Sequence, residues 1–221
     1  MSKLGITSIP ILGFGGQPVP NRLYKHEQAA GLALIFPGLR YTCDMPLLYY
    51  LTQVLLDQGY DVLQLHSDYT TETIKALSPS ERLNVMVADA QAALETIYPD
   101  KGYTKLILAG KSIGTLPLAM LISSGAAPDA ACIWLTPLLH YPFVVDAALQ
   151  HTGHALFIAS RADETFEPDS MEQIKDQPNT NVLVFEEADH SLLSHGNTLT
   201  SIEIIGQVVH AYIKFLEGLL H

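Results

Sequence analysis

The sequence predicts one α/β domain built on a mostly parallel, doubly wound sheet flanked by helices. Three observations carry this expectation. Short apolar runs of strand length alternate with longer helical patterns along the chain. The run 31–36, Gly-Leu-Ala-Leu-Ile-Phe, is apolar without a break, as in a strand buried on both faces. The chain has 221 residues, 48 % of them hydrophobic and 16 % charged, enough for one sizeable core. No linker, repeat or low-complexity segment divides it, so residues 1–221 read as a single domain.

In chain order, residues 6–14 form a β-rich opening that Pro10 confines to a sheet edge. Gly15-Gly16-Gln17-Pro18 is a turn, and 19–24 is a second edge strand. The run 31–36 stops at Pro37-Gly38. Leu47, Leu48, Leu51, Val54 and Leu55 then share one face of a helix over 46–58. Residues 61–66 are the next strand. Ser78, Pro79 and Glu81 make a helix start: serine caps, proline takes the first helical position and glutamate closes a capping box. Leu83, Met86 or Val87, Ala90, Leu94 and Ile97 give that helix its core stripe. A strand ending at Ala109 precedes a helix over 116–122, where Pro117 is tolerable because it falls in the first turn. Strands follow at 130–135, 155–159 and 182–185. Between them lie a loop with a short helix in 138–153 and a helix over 169–175. Residues 201–220 close the chain as an amphipathic helix on Ile204, Ile205, Val208, Tyr212, Phe215 and Leu219.

The formal charge of −11, with no cluster of lysine or arginine, repels duplex nucleic acid and anionic membranes, so neither is an expected partner. Cys43 and Cys132 are too few for a disulfide framework, and no Cys/His spacing resembles a zinc site. No metal and no organic cofactor is expected. Residues 1–5 show no signal-peptide pattern, and no window holds the roughly 18 continuous apolar residues of a spanning helix. A cytoplasmic location is the expectation.

The chain is organised around 106–115, which reads as strand, Gly110-Lys111-Ser112-Ile113-Gly114, then helix. A serine on so sharp a turn lifts its hydroxyl above the sheet edge, and the flanking glycines leave room for the neighbouring strand and helix. Ser112 is therefore the expected nucleophile. Two plainer readings compete. Gly-Lys-Ser also ends a phosphate-binding loop, but that motif needs glycine where this chain has Lys105. An ordinary strand–turn–helix junction would also place glycines here for packing.

A serine hydroxyl needs a base, and the base needs an orienting acid. Asp163 lies a few residues past the strand 155–159, and His190 stands in the same relation to the strand 182–185. Serine, acid and histidine thus occur in the order that elbow-type sites use. His195 is the nearby alternative to His190; Glu164 and Asp146 compete with Asp163. Backbone N–H groups of Ile113 and Leu39 are the expected oxyanion donors, the second from the loop after 32–36. Arg40, Tyr41 and His66 are expected to line the substrate pocket, and Lys111 reads as a rim charge.

With these residues in hand, the chain resembles the small, lidless members of the α/β-hydrolase superfamily, of the size of dienelactone-hydrolase-like enzymes and compact carboxylesterases. The matching stretches are Phe36-Pro37-Gly38-Leu39, Gly110-Lys111-Ser112-Ile113-Gly114, Ile158-Ala159-Ser160-Arg161-Ala162-Asp163 and Ala188-Asp189-His190-Ser191. Many relatives have His-Gly where this chain has Pro37-Gly38, and often glycine in place of Ser160. Residues 136–154 are too few for a helical lid. The resemblance implies a serine hydrolase acting on a small-molecule ester or thioester through an acyl-enzyme. A peptidase or amidase would use the same three residues, and a non-catalytic binding protein would use the same fold.

Overall fold

The computed structural model describes residues 4–29, 31–98 and 102–219. Among them, eight strands form one sheet: β1 (Gly5–Thr7), β2 (Asn21–Lys25), β3 (Gly31–Phe36), β4 (Tyr60–Leu65), β5 (Lys105–Lys111), β6 (Ala131–Leu135), β7 (Ala155–Ser160) and β8 (Thr180–Phe185). Their order is β1-β2-β4-β3-β5-β6-β7-β8. β1 pairs antiparallel with β2, and β2 with β4; every other pairing is parallel.

Parallel neighbours need crossovers, and helices supply them. They are α1 (Pro46–Asp57), α2 (Glu72–Lys75), α3 (Pro79–Ile97), α4 (Thr115–Ser123), α5 (Pro142–Gln150), α6 (Pro168–Lys175) and α7 (Thr198–Gly218). The strand period of two sends alternate side chains into two separate cores. Leu32, Leu34, Phe36, Leu108, Trp134 and Phe157 join α3, α4, α5 and α6 on one face. Ala33, Ile35, Ile107, Ile133 and Ile158 join α1 and α7 on the other. That is why 31–36 is apolar at every position.

The chain runs from β3 to β4 in one direction, then crosses back over β3 to β5 and continues outward through β8. The direction of winding therefore reverses between β3 and β5. In open α/β sheets, the crevice beyond the carboxyl ends of the strands at such a point is where ligands bind. Phe36 is paired with Gly110 there, so the loops after β3 and β5 leave the sheet side by side.

The helix start at Ser78 forms as expected: the Ser78 Oγ accepts from the Glu81 N–H, and the Glu81 carboxylate accepts from the Ser78 N–H. The opening differs. Instead of a strand over 6–14, only Gly5–Thr7 is paired in the sheet. Proline has no N–H to donate to a ladder, and beside Pro10 the Asn21 side-chain amide takes both the N–H and the C=O of Ile9. The polar stretch after β4 contains the one-turn helix α2, started by the Thr71 hydroxyl. The closing helix begins at Thr198, and Leu220 lies outside the described residues, as do Met1 to Lys3. No described helix is long and apolar enough to cross a membrane.

Candidate active site

β5 ends at Lys111, and a 3₁₀ turn over Ser112–Gly114 leads into α4. Ser112 has a φ of 53°, a left-handed conformation that few non-glycine residues adopt. The turn is held from three directions. The Thr115 hydroxyl donates to the Ser112 carbonyl at 2.6 Å and accepts the Leu138 N–H at 3.3 Å. A Cβ on Gly110 would stand 2.5 Å from the Gly114 carbonyl oxygen. A Cβ on Gly114 would run into the carbonyl oxygens of Phe36 and Pro37. These glycines therefore let the elbow sit directly against the loop that follows β3.

Three side chains from distant segments meet above this turn. The Ser112 Oγ lies 2.8 Å from His190 Nε2, and His190 Nδ1 lies 2.7 Å from Asp163 Oδ2. An imidazole with its proton on Nδ1 donates to Asp163 and leaves Nε2 to accept from the serine hydroxyl. Asp163 Oδ1 accepts from both the backbone N–H and the hydroxyl of Thr165, each at 2.9 Å. Burial alone would push the Asp163 carboxyl up, but the bonds from His190 and Thr165 outweigh it and leave its pKa lowered. The acid is thus held as a carboxylate against the imidazole.

His190 is aimed by its own loop. Asp189 Oδ1 accepts the N–H groups of Ser191 and Leu193, both at 2.8 Å, and Leu192 takes a φ of 57°. His195, the alternative base, is exposed and pairs with Asp189 Oδ2 at 3.0 Å, apart from Ser112. Glu164 and Asp146 are exposed, the latter on α5.

Ile113 sits at the start of the elbow turn, where amide N–H groups have no acceptor within the helix. Leu39 and Arg40 form the tip of a turn closed by two backbone bonds, Gly38 N–H to Tyr41 O at 3.1 Å and Tyr41 N–H to Gly38 O at 3.3 Å. The Leu39 N–H has no hydrogen-bond partner among the described residues, while its side chain is 49 % exposed. Arg40 takes a φ of 59° in the third position of this turn.

A cleft of about 230 Å³ opens beside the turn, lined by Leu39, Arg40, His66, Ser67 and Tyr69 among others. Arg40 and His66 are walls of this cleft; burial lowers the pKa of His66, with Arg22 adding to the effect. Tyr41 differs. It is 6 % exposed and its hydroxyl accepts the Leu47 N–H at 3.0 Å, so it faces the α1 core and not the cleft. Lys111 also differs: it is 1 % exposed and not a rim charge. A larger depression of about 910 Å³ lies between α7 and β8, and none of the three site side chains lines either cavity. Among the described residues, no group of three His, Cys, Asp or Glu side chains is arranged to hold a metal ion. α5 buries Val144, Ala147 and Ala148 in the core, which leaves 136–154 no length for a lid.

No family model and no curated protein sequence matches the chain. Among solved structures it is similar to Est1E from Butyrivibrio proteoclasticus with ferulic acid bound, at a TM-score of 0.74 and 13 % identity over 94 % of this chain and 98 % of that one. It is similar to the Pyrococcus furiosus esterase Pf2001, at 0.65 and 14 % over 96 % of this chain and 92 % of that one. A third is XC6422 from Xanthomonas campestris, described as an α/β serine hydrolase without a lid, at 0.65 and 14 % over 97 % and 94 %. At such identities the likeness concerns the fold. The chain has the α/β-hydrolase fold in its small, lidless form.

Proposed function

We propose that the protein is a serine hydrolase that cleaves a carboxylic ester or thioester through an acyl-enzyme. The observation that carries this is the unbroken series of 2.8 Å and 2.7 Å contacts from Ser112 through His190 to Asp163. The Ser112 oxygen attacks the substrate carbonyl carbon while its proton passes to His190 Nε2. Asp163 keeps the imidazole in the right tautomer and stabilises the imidazolium. The N–H groups of Ile113 and Leu39 receive the negative charge that develops on the carbonyl oxygen. Collapse breaks the bond to the leaving alcohol or thiol, which takes the proton from His190. Water, deprotonated by the same imidazole, then attacks the acyl-serine and releases the acid. Esterases among the structural neighbours support the choice of reaction class. The cleft lined by Leu39, Arg40 and His66 adjoins the turn that carries the Leu39 N–H, which supports a small-molecule substrate whose remainder rests against Arg40 and His66.

Labelling with a fluorophosphonate, followed by a screen of p-nitrophenyl esters, acyl-thioesters and amides, tests the proposal. Intact protein is expected to label and to hydrolyse esters or thioesters, and Ser112→Ala to do neither. A screen in which only amides turn over would make the protein a peptidase or amidase. Failure of the intact protein to label or turn over would leave a binding protein on the same fold.

A further inference from the structure

Lys111 directly precedes Ser112, yet its side chain does not reach water. Lysine is almost never fully buried unless its head group is paired, because desolvating an ammonium is costly. Here the Nζ donates to the backbone carbonyl of His190 at 2.9 Å and lies 5.1 Å from the centroid of the Tyr41 ring. The aliphatic stem passes the oxyanion turn closely: a Cβ on Gly38 would stand 3.3 Å from Lys111 Cγ and 3.1 Å from Tyr41 Cβ. The Tyr41 ring is itself fixed by its bond from the Leu47 N–H. One side chain therefore touches all three segments that the chemistry needs. These are the strand end carrying Ser112, the turn Gly38–Tyr41, and the loop carrying His190.

The charged groups acting on the amine are Asp163 and Asp189, which favour its protonated form. Burial acts more strongly and pushes the amine down to about 7. The Tyr41 hydroxyl, raised by its own burial to about 12, stays neutral beside it. Both the ammonium and the neutral amine keep an N–H for the His190 carbonyl, so the tie outlasts deprotonation.

We propose that Lys111 is a positioning residue: by binding the His190 backbone carbonyl and bracing the turn Gly38–Tyr41, it holds the imidazole and the oxyanion donors in register with the serine that follows it. The kinetic consequence rests on the hydrolase reading above, whereas the tie itself does not. Misplacing a reacting group by about 1 Å can cost about 100-fold in rate with little change in ground-state binding.

The test compares Lys111→Met, which keeps the stem and loses the donor, with Lys111→Gln, which keeps an N–H donor. Three readouts are taken on the full chain: kcat and KM on the best p-nitrophenyl ester, thermal melting, and the far-downfield proton NMR resonance of His190 Nδ1–H. That resonance is assigned by its absence from His190→Ala. Lys111→Met is expected to lower kcat about 10- to 100-fold with KM within about 2-fold, and to broaden the resonance. Lys111→Gln is expected to recover most of both. A Lys111→Met protein with kcat within about 2-fold of the parent and an unchanged resonance would overturn the proposal. So would a loss that Lys111→Gln shares in full and that follows the fall in melting temperature. If the parent hydrolyses nothing, the hydrolase reading fails, and the resonance alone decides: unchanged in Lys111→Met, the tie is refuted; broadened, it stands.

Discussion

Asp163 and Asp89 are the same residue type at nearly the same burial, 6 % and 8 % exposed, and the molecule drives them in opposite directions. Asp163 meets an imidazole and two donors from Thr165, and its pKa falls. Asp89, on α3, accepts from the Phe14 N–H and from the hydroxyls of Ser67 and Tyr69. Burial dominates there and its pKa rises. All the partners of Asp89 are neutral, and it ties the N-terminal turn and the loop after β4 to α3. Burial alone therefore does not set the direction: a facing group that can become a cation favours the carboxylate, whereas neutral partners leave burial in charge.

Exchange of each acid for its amide tests this contrast most severely. Under the proposed chemistry, Asp163→Asn is expected to lower kcat about 10⁴-fold, because an amide no longer fixes the working tautomer of His190. Asp89→Asn is expected to leave kcat within about 2-fold. Steady-state kinetics on the ester found for the parent would check both, and comparable losses would erase the distinction. A smaller effect should come from Thr165→Val, which removes one of the two Thr165 donors to Asp163 and leaves the N–H in place. A loss of about 10-fold in kcat corresponds to one hydrogen bond to a charged group. No change would mean that the N–H alone orients the acid.

The smallest effect is on stability, and its sign separates the two acids. The Asp163 pKa is lowered from 3.8, so its contribution is present above that value and is lost as pH falls through the folded value. The Asp89 pKa is raised, so its contribution is present below 3.8 and is lost as pH rises through the folded value. Denaturant unfolding of parent and amide variants across the acid range is expected to give stability differences that slope in opposite senses with pH. Each unit of displacement is worth about 1.4 kcal/mol. Slopes of the same sign would contradict the contrast.

Much of the site was legible in the sequence because its signals are local. The glycines around Ser112 announce the sharp turn, and Asp163 and His190 each follow an apolar run by a few residues. The mostly parallel character of the sheet follows from the alternation of strands with helices, whereas the order of the strands does not. What escaped depends on loops that meet only in three dimensions. Lys111 reads as a rim charge beside an exposed serine, and its burial follows from the convergence of Gly38, Tyr41 and His190 around it. Thr165 carries no motif; it matters because the chain turns back on Asp163 within two residues. Tyr41 stands next to Arg40 in sequence, but the left-handed Arg40 directs the two side chains to different places.

The imidazole comes from the loop after β8, a strand at the margin of the sheet that is only partly buried along its length. The serine comes from β5, sealed on both faces at the centre. The two partners of the Ser112–His190 contact are therefore anchored in parts of the molecule that differ in burial, and so in expected resistance to opening. On warming, the margin is expected to loosen first, so that under the proposed chemistry activity is lost while the central scaffold is still intact. Loss of that activity on heating would then report on the border of the sheet and not on its heart.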